Sequence, residues 1–374
     1  MYTKRTRPKI LVVGGGIAGF SLAMHASQRF DVTVVEAEFQ PGYHSTGRSA
    51  AVFHIAFESD TIHRLSLESE SFFLSPPRSF GTIAASLQNM MIARDEERDL
   101  VDSFLDTWTS RCPWLQRLNG TDIVRHIPVI HADFQDGVLD SRSLALDVHS
   151  LLDGYRRGLA ANGGVVRTNH RLVELDDSKG HWRATFAQGD TLDADIVVNA
   201  AGAWADEVAI LADVKPIGLI PRRRTGLRIQ PKVEFKSWPM CYRASGDLYF
   251  KPEGSSIMLS PVDASDSPPC DAQPELLDLA VAMDRFRECT TLDIDRPHET
   301  WAGLRSFVSD ELPVIGFAEG HAGFFWYAAF GGFGVQTSPA CANLGAELLN
   351  GNSSPISVDI EVTSVSPRRF SVSQ

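Results

Sequence analysis

Three glycines spaced Gly14-x-Gly16-x-x-Gly19 directly follow the apolar run Lys9-Ile10-Leu11-Val12-Val13 and open a helical pattern that continues through His25. The first glycine of such a spacing permits a tight turn, the second lets backbone approach a pyrophosphate, and the third lets helix and strand pack closely. The helix N-terminus, where Ile17 and Ala18 stand, then faces the phosphates. A second apolar run, Val32-Thr33-Val34-Val35, ends in Glu36, which lies 22 residues after Gly14. A carboxylate there accepts both ribose hydroxyls and repels a 2′-phosphate. Strand, turn, helix and acid together predict a dinucleotide site, for NAD or FAD.

Three further segments favour FAD. Pro41-Gly42-Tyr43-His44-Ser45-Thr46-Gly47-Arg48-Ser49 follows the ribose acid and offers hydroxyls and backbone amides beyond the pyrophosphate. The buried run Asp195-Ile196-Val197-Val198-Asn199-Ala200-Ala201-Gly202 closes in small residues, as a strand passing close to a cofactor would. Phe325 to Ser338 reads strand, glycine turn (Gly331, Gly332, Gly334) and helix. A helix starting there aims amides at the flavin N1 and C2 carbonyl, where reduction places negative charge. Arg305 sits in the apolar stretch Trp301-Ala302-Gly303-Leu304 and is a poor surface residue, so it needs a buried partner. Arg222-Arg223-Arg224 reads by composition as a solvated charge run, and Asp263, Asp266 and Asp271 as a solvated loop.

The elements that position these residues predict an α/β chain: a discontinuous Rossmann-like FAD-binding domain with an α+β substrate domain containing an antiparallel sheet. The first 36 residues form one βαβ unit. Residues 60–140 have the texture of an inserted lobe, with helices over Ile62–Phe73 and Glu96–Thr109 around the apolar segment Met90–Ala93. Leu144–Asn162 is predicted as a helix and Val165–Val173 as a strand, while 217–298 reads as proline-punctuated antiparallel strands. The FAD-binding domain is expected over 1–80, 141–220 and 299–374, and the substrate domain over 81–140 and 221–298. Only the tail after Gly351 reads as loose.

Composition narrows the class. The 374 residues suit two or three lobes. Charge is 35 minus 47, or −12, which opposes binding to nucleic acid. Cys112, Cys241, Cys270, Cys289 and Cys341 contain no C-x-x-C pair, so neither a disulfide framework nor a structural metal site is expected, and a cytoplasmic location fits. No apolar run reaches the roughly 18 residues of a membrane span.

Seven segments, GGGIAG (14–19), PGYHSTGRSAA (41–51), VVNAAGAWAD (197–206), WPM (238–240), LYFKP (248–252), TWAGLRSF (300–307) and GFGVQTSPA (332–340), carry a specific likeness. In matching order over nearly the whole chain, they resemble the D-amino-acid-oxidase or glycine-oxidase superfamily of FAD enzymes, most closely its bacterial D-arginine dehydrogenase group. The resemblance implies non-covalent FAD held by Gly14, Gly16, Ile17, Ala18, Gly19, Glu36, Ser45, Thr46, Gly47, Arg48, Ser49, Ala50, Leu172, Ala201, Gly202, Trp204, Gly331, Gly332, Gly334, Val335, Gln336 and Thr337. It also places Arg224, Arg305 and Tyr249 against a substrate carboxylate, Gly303 and Gly332 near the amine, and Gln336 against substrate or flavin.

The departures are informative. The group's distal acid matches Asn89-Met90-Met91, which has no carboxylate, and its active-site loop is replaced by Val52, Phe53, His54 and Phe57. Met240, Tyr242 and Phe330 add apolar wall, so an apolar or aromatic side chain is expected. His54 remains a site candidate, although a loop histidine is more often structural. The attachment segment of sarcosine-oxidase-like relatives reads Ala302-Gly303-Leu304-Arg305 and lacks cysteine, and the strand Ser256–Ser260 lacks their flavin-facing lysine. The expected reaction is oxidation of a D-α-amino acid to an imino acid by hydride transfer to flavin N5, with an electron acceptor other than oxygen favoured. Oxidation of an N-substituted amino acid or 2-hydroxy acid, and a flavin-binding protein without turnover, are the alternatives.

Overall fold

The computed structural model describes residues 7–56, 59–178, 180–294, 296–352 and 360–370. Its first half is built on a six-stranded sheet in the order Val314–Phe317, Phe324–Ala328, Ile196–Asn199, Lys9–Val13, Asp31–Val35, Val165–Arg167. Every pair is parallel except the first, whose two strands are joined by a short turn and run antiparallel. Val12 lies opposite Val34 and Val198, and all three are buried, as β-branched residues in a sheet covered on both faces should be. One face is covered by the helices Ile17–Ala26, Val148–Ala161 and Ser338–Leu349. The other carries the three-stranded meander Leu172–Ser178, His181–Phe186, Thr191–Ala194 and the helix Ala205–Leu211.

Two expected elements divide. The helix expected from Leu144 begins at Val148, because the Asp147 carboxylate accepts the Ser150 amide and caps it. Leu144–Leu146 instead forms a strand between Val52–Phe53 and Ala84–Ser86. The strand expected over 165–173 breaks at Asn169, whose φ of 57° no strand accommodates, and its two pieces join different sheets.

The second half is an eight-stranded sheet in the order Glu299–Phe307, Ile220–Ile229, Ser256–Ser260, Tyr249–Glu253, Met240–Arg243, Asn89–Arg94, Phe134–Asp140, Leu115–Asn119. It is antiparallel except where Met240–Arg243 meets Asn89–Arg94, the seam between two separate excursions of the chain. Alternation decides its faces. Leu227, Ile229, Phe250, Ile257 and Leu259 bury against the helix Leu276–Cys289, while Arg224, Gly226, Tyr249 and Met258 project the other way. Glu299–Phe307, grouped with the first half in the sequence reading, pairs along its length with Ile220–Ile229 and sets Gly303 opposite Arg224.

The tail is less loose than expected. Pro367 packs against Gly316, and Arg369 pairs with Asp310 at 2.6 Å. Residues 353–359 lie outside the described residues.

Candidate active site

The glycine turn is demanded first by the protein itself. Gly14 has φ +111°, and a Cβ on it would lie 2.3 Å from the Ala200 carbonyl oxygen. A Cβ on Gly19 would lie 1.9 Å from the Gly14 carbonyl oxygen, so helix and strand meet only because neither carries a side chain. Glu36 is oriented by two amides: Gly15 donates to Oε2 at 2.7 Å and Glu38 to Oε1 at 2.9 Å. Thr46 Oγ1 accepts the Ile17 amide at 3.0 Å and so satisfies one donor of the helix N-terminus.

Around these residues lies a cavity of about 210 Å³, lined by Gly14, Gly16, Glu36, Ser45, Thr46, Leu172, Ala201, Gly202 and Trp204. Glu38, Gly42, His44, His170 and Arg171 line it too, and sequence reasoning missed them as a group. His44 pairs with Glu38 at 3.0 Å and packs its ring 4.7 Å from that of Trp204, a contact that no local pattern announces.

A second cavity of about 140 Å³ continues from the first, sharing Gly16, Ser45, Thr46, Ala200 and Gly202. It is lined by Ile17, Ala18, Arg48, Ser49, Ala50, Arg224, Tyr249, Gly303, Arg305, Gly331, Gly332, Gly334 and Val335. Met258, Trp301, Tyr327 and Phe330 complete its walls. Neither Arg224 nor Arg305 forms an ion pair among the described residues, and no acid lines the chamber. Burial and the neighbouring Arg305 hold the Arg224 guanidinium down at about 10. Its Nε donates to the Asp263 carbonyl at 2.6 Å, and the Asp263 carboxylate accepts the Thr225 amide at 2.6 Å and the Thr225 hydroxyl at 3.0 Å. Gly332 leaves room for Arg305, since a Cβ there would lie 3.1 Å from Nη1.

Of the three aspartates expected in a solvated loop, Asp266 and Asp271 are exposed, while Asp263 is turned inward to Thr225 and Arg224. Arg48 donates to the carbonyls of Ala302 at 2.8 Å and Ala272 at 2.9 Å and pairs with Asp271, which ties that loop across the chamber. Arg222 and Arg223 are half-buried rather than freely solvated, Arg222 paired to Glu311 and Arg223 to Glu275 and Asp278.

Five expected site residues stand outside both cavities. Gly47 serves its own loop, where its amide donates to the Gly42 carbonyl at 2.8 Å and a Cβ would lie 2.7 Å from the same oxygen. Thr337 is buried and donates to the Phe333 carbonyl at 2.8 Å. Gln336 is buried too, its amide nitrogen donating to Ser66 Oγ at 2.7 Å and to the His54 carbonyl at 3.3 Å, so the structure does not bring it to the chamber. His54 lines a separate pocket of about 10 Å³ with Asn89, Asp140 and Tyr242, where burial holds its ring down at about 4 against the pull of Asp140. Gly19 acts through helix packing alone. Of the apolar loop, Phe53 is in the core, Val52 packs beside Met240, Tyr249 and Met258, and Phe57 lies outside the described residues.

The paired cavities fit FAD: a ribose acid at one end, helix N-terminal backbone at the junction, and a cationic chamber at the other end. Comparisons with known proteins agree. Glycine oxidase of Bacillus licheniformis is 23% identical, over 93% of this chain and 94% of its own length. The crystal structure of L-proline dehydrogenase from P. horikoshii superposes with a TM-score of 0.85 at 21% identity, covering 98% of each chain. That of glycine oxidase from Geobacillus kaustophilus gives 0.84 at 17% identity, covering 97% of this chain and 99% of that one. A family model described as DAO, FAD dependent oxidoreductase, matches residues 9–348. With the fingerprint, the ribose acid and the two-part cleft all inside that span, the chain belongs to the DAO family of FAD-dependent oxidoreductases.

Proposed function

We propose that this enzyme oxidises an α-amino acid of D-configuration, with an apolar or aromatic side chain, to the imino acid, which water then hydrolyses to a 2-oxo acid and ammonia. The observation that carries the reading is the pair Arg224 and Arg305, two guanidiniums converging with Tyr249 in a chamber that no acid lines among the described residues. Two desolvated cations call for an anion, and guanidinium forks suit a carboxylate held bidentately. Asp263 braces Arg224 from behind through backbone and Thr225 contacts, so the clamp is rigid before substrate arrives.

Bound FAD supplies the hydride acceptor at N5. The protein holds the carboxylate and so aims the Cα hydrogen. It also favours the neutral amine: no acid stands ready for an ammonium, and two adjacent guanidiniums oppose a third positive charge. Among the described residues no side chain lining the chamber is a carboxylate or histidine, so water is the acceptor for that proton in this reading. Positioning then supplies most of the rate. Met258, Trp301, Tyr327 and Phe330 support an apolar side chain, and the motif likeness supports the D-hand. No lysine lines the chamber among the described residues, which supports a dehydrogenase; Lys251, opposite Met258 on the next strand, is engaged by Glu253 at 3.0 Å. In this reading the six-stranded half holds the cofactor and the eight-stranded half, with Glu299–Phe307, holds the substrate.

The test is anaerobic reduction of the bound flavin by amino, N-methylamino and 2-hydroxy acids of both hands. D-Phe, D-Leu or D-Met should bleach the flavin with kcat/KM above those of D-Arg and D-Lys. Bleaching by no amino acid ends the reading, and a tenfold preference for D-Arg ends its side-chain clause.

A further inference from the structure

An ionic cluster that runs from buried Lys251 out to exposed Glu299 has no part in the clamp. Lys251, only 4% exposed, pairs with Glu253 at 3.0 Å, and Glu253 accepts from Arg228 Nε at 2.6 Å. Arg228 is held on its other side by Glu299. A charge taken out of water is retained at a cost unless it is paired, and Lys251, the buried member, is paired. The cluster's common product is the placement of one guanidinium, Arg228, 4.7 Å from the centre of the Trp301 ring.

Trp301 is fixed from two other directions. Gly226 is its partner across the strand pair, and a Cβ on Gly226 would lie 2.6 Å from indole Cε2 and Cζ2. The indole thus occupies the space that a side chain at 226 would need. Its Nε1 donates to the Arg48 carbonyl at 3.3 Å. The ring lines the chamber beside Arg224 and Met258 and packs against the group formed by Met240, Tyr249 and Met258.

We propose that Trp301 is the specificity-determining wall of the site: an indole locked in one orientation by Gly226, Arg48 and Arg228 sets the largest group that a ligand can carry beside its clamped carboxylate. The inference rests on the carboxylate clamp of the preceding section and assigns Arg228, with Glu253, Glu299 and Lys251 behind it, a positioning role. Gly226 is the strand residue that makes the wall possible, since any side chain there would push the indole into the chamber.

The experiment titrates the FAD-loaded protein with acetate and with 2-naphthoate, following the visible flavin spectrum, so that affinity is read without turnover. Trp301→Ala should shift the ratio of the two dissociation constants at least tenfold in favour of 2-naphthoate. Trp301→Phe, which keeps an aromatic wall, should leave the ratio within about threefold of the parent. Gly226→Ala, with FAD content measured alongside, should move the ratio the opposite way, against 2-naphthoate. A shift below tenfold in Trp301→Ala, or an equal shift in Trp301→Phe, overturns the wall. If neither anion perturbs the spectrum of the parent protein, the clamp itself falls, and the wall with it.

Discussion

At the scale of single residues, the active site is a balance of unpaired positive charge. Arg305→Ala removes half of the clamp while leaving the cofactor cavity of Glu36 and Gly14 untouched. Truncating one partner of a buried charged pair costs about 2 to 5 kcal/mol, so kcat/KM should fall roughly 30- to several-thousand-fold with near-normal FAD content. Unchanged turnover in that variant would remove the carboxylate clamp. Arg224 adds a pH signature. Its folded-state value is depressed to about 10, below the ordinary guanidinium range, by burial first and Arg305 second. The charged form is therefore disfavoured by folding; the penalty is full below about 10 and shrinks above it, as the folded group loses its proton before the unfolded one does. The same deprotonation removes a carboxylate partner, so benzoate affinity should decline above about pH 10 and stay level below it. A Kd flat to pH 11 would show that Arg224 keeps its proton there, and Arg224→Ala would then decide its contact with the anion.

Elements are held by contacts that a change at one position should propagate. Gly19→Ala puts a Cβ against the Gly14 carbonyl, which is backbone and cannot swing aside. Helix Ile17–Ala26 must then shift from its strand, at a cost of roughly 1 to 3 kcal/mol, and the protein should purify colourless. Retention of full FAD content would show that the helix end tolerates displacement. Asp263→Ala acts through another element: the loop keeps its carbonyl bond to Arg224 but loses the carboxylate that holds the Thr225 amide and hydroxyl. Leaving buried donors unsatisfied costs about 1 to 3 kcal/mol, so KM should rise by roughly 5- to 150-fold while flavin content stays normal. A fall in kcat with unchanged KM would assign the loop a different role.

For the whole molecule, the cleft between the two sheets couples cofactor binding to stability. FAD at about 100 times its Kd should stabilise the chain by about 2.7 kcal/mol, and Tm should rise by roughly 3 to 4 °C over the apoprotein. None of the five cysteines lines either cavity, so acid precipitation should release all of the yellow colour. Colour retained in the pellet would point to a covalent link, with Cys241 the first to test. With Met258 and no lysine at the chamber wall, an artificial electron acceptor should outpace oxygen by a wide margin, and fast peroxide release at air saturation would contradict the dehydrogenase reading.

The first βαβ unit was legible from the chain alone, because its evidence is local: glycine spacing, β-branched runs and the acid at 36 lie within one short segment whose geometry backbone sterics dictate. The final glycine turn and the cleft-facing loop at 45–50 were legible for the same reason. Residues brought together by strand pairing were not. Asp263 reads as solvent-facing until the sheet sets it behind Arg224, and the pairing of Arg48 with Asp271, which stays exposed, joins residues 223 positions apart. Gln336 sits in a convincing motif, yet helix packing turns it toward Ser66 and away from the chamber. The wall at Trp301 depends on a register that puts it opposite Gly226, 75 positions earlier in the chain. Local pattern determines which elements form and which face each buries; which side chains then meet across elements depends on register and on the order of strands in the sheet, and those follow from the packing of the whole core.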